Sequence, residues 1–506
     1  MTSILGINAY HGDSSACLVI DGKLTCAAEE ERFRRIKHWA GFPSQAITYC
    51  LGAAGLALGD VDHIAINSDP KANLLQKIFF AAARRPSLRL LMERLGERRV
   101  RSSLGDELRT CFPASRFRGE MHKIEHHLAH LGSAFLVSPF DEAVAVSVDG
   151  FGDFASTAWG VGRGSKMEIE RKVLFPHSLG IFYMSMTQYL GFPHWGDEYK
   201  VMGLAPYGKP EHLEKMRGIV RLKEDGTFEL DLRFFRHHFE KVQEWTGSAP
   251  HVKPIFTPAL EELLGPCRQE KEVLTQRHKN IARSVQAMYE EAFFHLLNRL
   301  HAKYKLDALA IAGGCGMNSV ANGRIYRNTP FKSMYVQSAA GDAGGAIGAA
   351  YVVWSRLKAD GPRFMMDHAY WGPEFSSEQI ESFVDNHRHE LDAEGCLVER
   401  VFDEGELCSR TAQAIADGNV IGWFQGRMEW GPRALGNRSI VCDPRRADMK
   451  DILNRKIKRR ESFRPFAPSV LREAVSEWFE QDDDVPFMMQ VYQIREDKRP
   501  LIPAVT

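Results

Sequence analysis

With 506 residues the chain exceeds what one compact core supports and is expected to divide into two or three domains. Lysine plus arginine and aspartate plus glutamate both number 65, so the formal net charge is zero, which argues against a protein devoted to a nucleic-acid backbone or an anionic membrane surface. The nine cysteines form no Cys-x-x-Cys pair, the N-terminus lacks a basic segment followed by an apolar core, and the apolar stretch 74–83 is broken by Lys77; a soluble protein of the reducing cytoplasm is expected.

Residues 4–22 read as strand, polar turn and strand, with His11, Gly12 and Asp13 in the turn. Residues 71–110 are helical and basic in character (Arg84, Arg85, Arg94, Arg98), which fits an inserted cap or, more simply, a solvated helical face. At Glu125-His126-His127-Leu128-Ala129-His130, two histidines stand one helical turn apart and so share a face; alone, such a pair also fits a satisfied or solvent-facing pair. Residues 143–163 repeat the first pattern, with Asp149-Gly150 and Gly152-Asp153 in the turn. The repeat predicts two related halves, each opening on a hairpin whose turn can wrap a phosphate, as in actin-like and sugar-kinase-like folds; two unrelated hairpins would look alike.

Gly203 to Lys209 has the spacing of a Walker A loop, but Pro210 stands where a Ser or Thr must hold magnesium and a helix must start, so a P-loop is rejected. With no nucleophile elbow and no cysteine beside an activating partner, covalent acyl transfer is unsupported. A helix over 272–305 carries Ile281, Val285, Met288, Ala292 and Leu296 on one stripe, a core-packing pattern. Strands over 306–311 and 334–337 lead into two Gly-rich loops, one with Gly313, Gly314 and Asn318, the other with Asp342. Ligands bind at such loops in α/β folds. Asp149 and Asp342, arriving from strand ends, would complete with His126 and His130 a mixed nitrogen and oxygen shell suited to Fe(II), Mn(II) or Zn(II).

A composition change around Trp371-Gly372-Pro373 places a domain boundary near 370. Between positions 427 and 464 stand twelve Lys or Arg against five Asp or Glu, so a basic cleft stands out of a neutral chain. A solvated helix accounts for 450–460. It does not account for 425–439 and 463–468, where Arg alternates with Gly, Pro and aromatics, as in rigid loops that present guanidinium groups to anions.

The segments His126-His127-Leu128-Ala129-His130, Val148-Asp149-Gly150, Met202-Gly203-Leu204-Ala205, Gly313-Gly314 with Asn318, Gly431-Pro432-Arg433-Ala434-Leu435-Gly436-Asn437-Arg438-Ser439 and Phe463-Arg464-Pro465-Phe466-Ala467-Pro468 together resemble the NodU/CmcH family of O-carbamoyltransferases. The resemblance runs from residue 4 to the end. It implies an α/β protein: a duplicated actin-like domain over 1–370, with an insertion at about 71–120, then an α+β YrdC-like domain over 371–506 that continues further in this family. Carbamoyl phosphate and ATP, with Mg(II), are implied to form carbamoyl-adenylate in the second domain, and the first to pass the carbamoyl group to a hydroxyl of a small molecule. Carried over by motif, His126, His130, Asp149 and Asp342 would bind a divalent metal, Fe(II) by resemblance. Gly150, Gly313, Gly314 and Asn318 would line the adenylate, and Arg433, Lys458 and Arg464 would hold ATP and carbamoyl phosphate. His11 is implied as general base, although a turn histidine bonding its own backbone fits equally, and Lys37 as lining the transfer site. Neither nucleic acid nor membrane is expected as a partner. The competing readings are a tRNA-modifying or hydrogenase-maturation carbamoyltransferase, whose basic RNA-facing surface or zinc-binding cysteine pairs are missing, and a non-catalytic actin-like nucleotide-binding protein.

Overall fold

The computed structural model describes residues 1–84, 104–244, 247–358 and 361–506. Much of the basic stretch between 71 and 110 therefore lies outside the described residues. The chain divides into two compact units, Met1–Asp367 with Val485–Val491, and His368–Asp484 with Tyr492–Thr506. The sequence places all of 371–506 in the second unit; Val485–Val491 instead belongs to the first, where Val491 donates its amide to Ser319 O at 3.0 Å and Met489 O accepts from the buried Asn322 amide at 3.0 Å.

The first unit holds two sheets of one design. In the first, β1 (Ser3–Asn8), β2 (Ser15–Ile20) and β3 (Lys23–Glu29) run antiparallel, and β4 (His63–Ile66) and β5 (Glu120–Lys123) extend the sheet parallel to β1 in the order β3-β2-β1-β4-β5. In the second, β6 (Glu142–Gly152) and β7 (Ala155–Arg163) form the hairpin, and β8 (Lys166–Met167) and β9 (Arg171–Leu174) both pair antiparallel with β7. On the other side β10 (Ala308–Ala312) and β11 (Ser333–Val336) run parallel to β6. Taken from the meander edge inward, the two sheets match in strand order and direction. Their central strands are near-continuous apolar runs because helices cover both faces; Ile4, Leu5, Ile7, Val144 and Val146 are fully buried.

In each half a helix follows the last strand, α2 (His126–Phe135) after β5 and α5 (Gly345–Leu357) after β11. Each packs on the opposite half's sheet: α2 lies against β6, β7 and β10, and α5 against β1, β2 and β4. The two helices cross where neither has a side chain. A Cβ on Gly132 would stand 2.8 Å from Val352 Cγ2, and one on Gly348 only 1.7 Å from Ala129 O. A smaller helix, α1 (Ser44–Ala53), covers β2 and β3. Helix α3 (Leu179–Tyr189) packs on β6 and on the long α4 (Gln276–Tyr304), which buries Ile281, Val285, Met288, Ala292 and Leu296 as its stripe requires; a Cβ on Gly208, in the rejected P-loop segment, would lie 2.0 Å from Lys279 O on α4. Among the described residues no helix is long and apolar enough to cross a membrane.

The second unit has α6 (Ser377–Asn386), α7 (Glu404–Ala416) and an antiparallel pair, β12 (Ile421–Phe424) and β13 (Arg438–Val441); its small core of Met449, Leu453 and Ala504 packs against Ile440 of β13 and against Ile452 and Phe466.

Two glycine-to-alanine exchanges should separate packing from helix propensity. Alanine at Gly52 of α1, where nothing lies within 4 Å, should gain up to about 1 kcal/mol. At Gly348 the same gain should be outweighed by the clash with Ala129 O, for a net loss of about 2 kcal/mol or more. Calorimetric unfolding checks both signs.

Candidate metal centre

Glu125 opens α2 by accepting the Leu128 amide at 2.8 Å, and its carboxylate is held by Lys172 Nζ at 2.9 Å. From that start, His126 and His130 fall on one side of the helix. Their Nε2 atoms face each other at 3.0 Å. Asp149 reaches them from the end of β6, with Oδ2 at 3.2 Å from His126 Nε2 and 3.7 Å from His130 Nε2. Asp342, in the loop before α5, brings Oδ1 to 3.5 Å from both. The four expected donors thus converge from three separate segments, with all their ligand atoms within 4.8 Å of one another. His127, between the two, turns to Ser147 Oγ at 3.0 Å, and burial drives its pKa down to about 4, so it is a neutral core group.

Backbone fits the donors closely. Gly313, at φ +88°, lies so near β6 that a Cβ would meet Val148 O at 2.2 Å, and the following amide of Gly314 donates to Asp149 Oδ1 at 2.7 Å. Gly152 has no room for a side chain because the His126 ring fills the place. Ser178 Oγ is within hydrogen-bond distance of the carbonyls of Asp149 (3.0 Å) and Gly150 (2.8 Å). Beside Gly150 itself a Cβ would meet nothing within 4 Å, leaving that wall open.

Within the cluster, burial and neighbouring charge pull on the ionisable groups in opposite directions. Burial alone would raise the Asp149 carboxyl, but hydrogen bonds and charge from His126 and His130 hold it well below the usual carboxylate range. Asp342 is raised by burial and by the negative charge of Asp149. Burial opposes charge on His130, yet its bonds to both carboxylates lift it to about 9. Two carboxylates and two facing imidazole nitrogens are more lone pairs than shared protons can satisfy. An ion about 2.0–2.2 Å from each donor would match the separations of 3.0–3.7 Å, and the donor chemistry fits Fe(II), Mn(II) or Zn(II).

His11 is buried beside this cluster, its ring centroid 5.4 Å from that of His126. Lys37 is exposed, in the turn before His38. Asn318 caps a short helix through the Ala321 amide at 3.0 Å and exchanges amide hydrogen bonds with Gln286 at 3.0 and 3.1 Å, so its side chain is committed to the scaffold. In the second unit Arg433 is half-buried, Lys458 is exposed, and Arg464 stands 3.8 Å from Glu461 in a loop stapled by the fully buried Asn454, which donates to Arg464 O at 2.9 Å.

Two buried acids that brace these segments were given no role by the sequence. Asp153, in the left-handed region at φ +47°, accepts the amides of His126 (2.9 Å) and Asp69 (2.8 Å), tying the start of α2 to the end of β4. Its counterpart in the first hairpin, Asp13, also left-handed at φ +57°, pairs instead with His38 at 2.8 Å. The repeated Gly-Asp, at 12–13 and 152–153, was the available signal. Glu429, buried at 1 % exposure, accepts the amides of Leu435 (2.6 Å) and Asn437 (2.8 Å) and pairs with Arg438 at 2.8 Å, folding the Arg-rich loop around itself. A lone acid among arginines was its only trace in the sequence.

A family model described as carbamoyltransferase N-terminus matches residues 3–351, and one described as carbamoyltransferase C-terminus matches residues 412–506. An uncharacterized protein of Synechocystis is 42% identical over 99% of this chain and 81% of its own length. Nodulation protein NolNO of Sinorhizobium fredii is 37% identical over 99% of this chain and 68% of its own. The 3'-hydroxymethylcephem-O-carbamoyltransferase of Streptomyces clavuligerus is 32% identical over 37% of this chain and 33% of its own.

Purified under anaerobic, metal-replete conditions, the wild type should carry stoichiometric metal by elemental analysis at this centre, and His130→Ala or Asp149→Asn should lose that equivalent. The Asp13–His38 pair gives a separate pH dependence. Burial opposes charge on His38, but Asp13 outweighs it and raises the imidazole to about 9 from an ordinary 6.5. The pair's stabilisation is therefore complete below about pH 6.5 and lost as pH rises through about 9. Discounted for partial exposure, wild type should exceed His38→Gln by about 1–2 kcal/mol at pH 6 in urea unfolding, with the gap closing by pH 10.

Proposed function

Because this chain belongs to the carbamoyltransferase family, we propose that it transfers a carbamoyl group from carbamoyl phosphate, through carbamoyl-adenylate, to a hydroxyl of a small molecule. The observation that carries the reading is the convergence of His126, His130, Asp149 and Asp342 within the segment matched by the N-terminal family model. The likeness to an enzyme named as an O-carbamoyltransferase of a hydroxymethylcephem supports a hydroxyl acceptor. The matching strand order of the two sheets supports an actin-like reading of the first unit, and we read the second as YrdC-like. Nine free cysteines agree with a reducing, cytoplasmic setting.

On this reading Arg433, Lys458 and Arg464 hold the phosphates of ATP and carbamoyl phosphate in the second unit. Two polyanions sharing one cleft require several fixed cations. Carbamoyl phosphate, ATP and one water give carbamoyl-adenylate, phosphate and pyrophosphate. In the first unit the open wall at Gly150 and the backbone of Gly313 and Gly314 receive the adenylate. A divalent ion of the Fe(II) class held by His126, His130, Asp149 and Asp342 supplies Lewis-acid polarisation and neutralises phosphate charge. The acceptor oxygen then bonds to the carbamoyl carbon, the bond from that carbon to the adenylate oxygen breaks, and AMP departs. His11, next to His126, takes the hydroxyl proton. Lys37 would line the transfer site, where its charge would favour an anionic leaving group.

The two steps should be separable. Arg433→Ala should lose pyrophosphate release by about a hundredfold or more, yet still transfer from supplied carbamoyl-adenylate. His130→Ala should do the reverse. Loss of both half-reactions in both folded variants would rule out the division of labour.

A further inference from the structure

We propose that His63, Glu120 and His122 form a second divalent-metal site, for an ion of the zinc class, that clamps β4 to β5 ahead of the helix carrying His126 and His130. His63 lies directly across the parallel ladder from Glu120, and His122 is two residues further along β5, so all three project from one face of the sheet. His63 Nδ1 stands 3.1 Å from His122 Nε2, and Glu120 Oε2 3.8 Å from His122 Nε2. All three ligand atoms lie within 4.8 Å of one another, separations that one ion about 2.0–2.2 Å from each can span. Two histidines and one carboxylate leave coordination positions for water, as expected at a sheet edge.

The site's position gives it a use. β5 is an edge strand of four residues, joined to β4 only after the excursion of residues 67–119, and such a strand is a weak point of its sheet. Immediately after it, Ile124 donates to Ile66 O at 2.8 Å and Glu125 caps α2. Whatever fixes β5 against β4 therefore fixes the start of the helix that carries the first centre. An ion bridging the strands would close the 67–119 excursion in the folded state alone, adding its binding energy to that register. A third group of similar composition, Asp13, Glu31 and His38, differs in kind: its histidine is committed to an ion pair with Asp13.

The test uses the full chain, stripped with chelator and titrated anaerobically with Zn(II) in a calorimeter. Two equivalents are expected for wild type, one for His63→Ala/His122→Ala, and one for His130→Ala, the remaining sites being different. Glu120 is exposed, so Glu120→Gln should fold normally and weaken one equivalent by about tenfold or more. Zn(II) should also raise the Tm of His130→Ala but not of a triple variant lacking both imidazoles of the clamp. The proposal is overturned if the double variant, with native circular dichroism, still takes two equivalents, or if the single equivalent of wild type disappears in His130→Ala. A single wild-type equivalent that survives His130→Ala and vanishes in the double variant would support the clamp and count against the first centre instead.

Discussion

The crossing of α2 and α5 governs the first unit. Each helix leaves one half and packs on the sheet of the other, and the crossing works because Gly132 and Gly348 let backbone approach backbone. The same exchange assembles the candidate metal centre. One helix brings His126 and His130; the loop leading into the other brings Asp342; the second half's hairpin adds Asp149 and the first half's hairpin adds His11. Were the helices held further apart by side chains, His126 and His130 on one would separate from Asp342 at the entry to the other.

The two halves share a strand order but differ in chemistry. Both hairpin turns place a left-handed aspartate after glycine, but Asp13 pairs with His38, while Asp153 anchors the first amide of α2. At the matching loops after the last strand of each half, one half carries histidines and the other an aspartate. An asymmetric cluster of two nitrogens and two oxygens follows, in which the negative charges of Asp149 and Asp342 oppose each other.

In the second unit the equivalent organising group is Glu429. Its carboxylate gathers two amides and the Arg438 guanidinium, so Arg438 is used internally. Not every arginine in a basic run is there to meet a ligand. Asn454 performs a similar task for the loop containing Arg464.

Local pattern was enough for much of this. The i, i+4 spacing of His126 and His130, the stripe on α4, the two hairpins and the Gly-rich loops at strand ends are all periodicities or turn chemistries set by the backbone within a few residues, so they were legible in the sequence. Asp149 and Asp342 could be nominated because they stand at strand ends, but that they meet the histidines depended on segments far apart in the chain. Which of three adjacent histidines turns away, why Gly152 must lack a side chain, where Asp153 and Glu429 spend their charge, and that Val485–Val491 returns to the first unit were decided only by tertiary packing. The reason is physical: a residue's type fixes what it can bond, whereas which partner reaches it inside a close-packed interior depends on the fold of the whole chain.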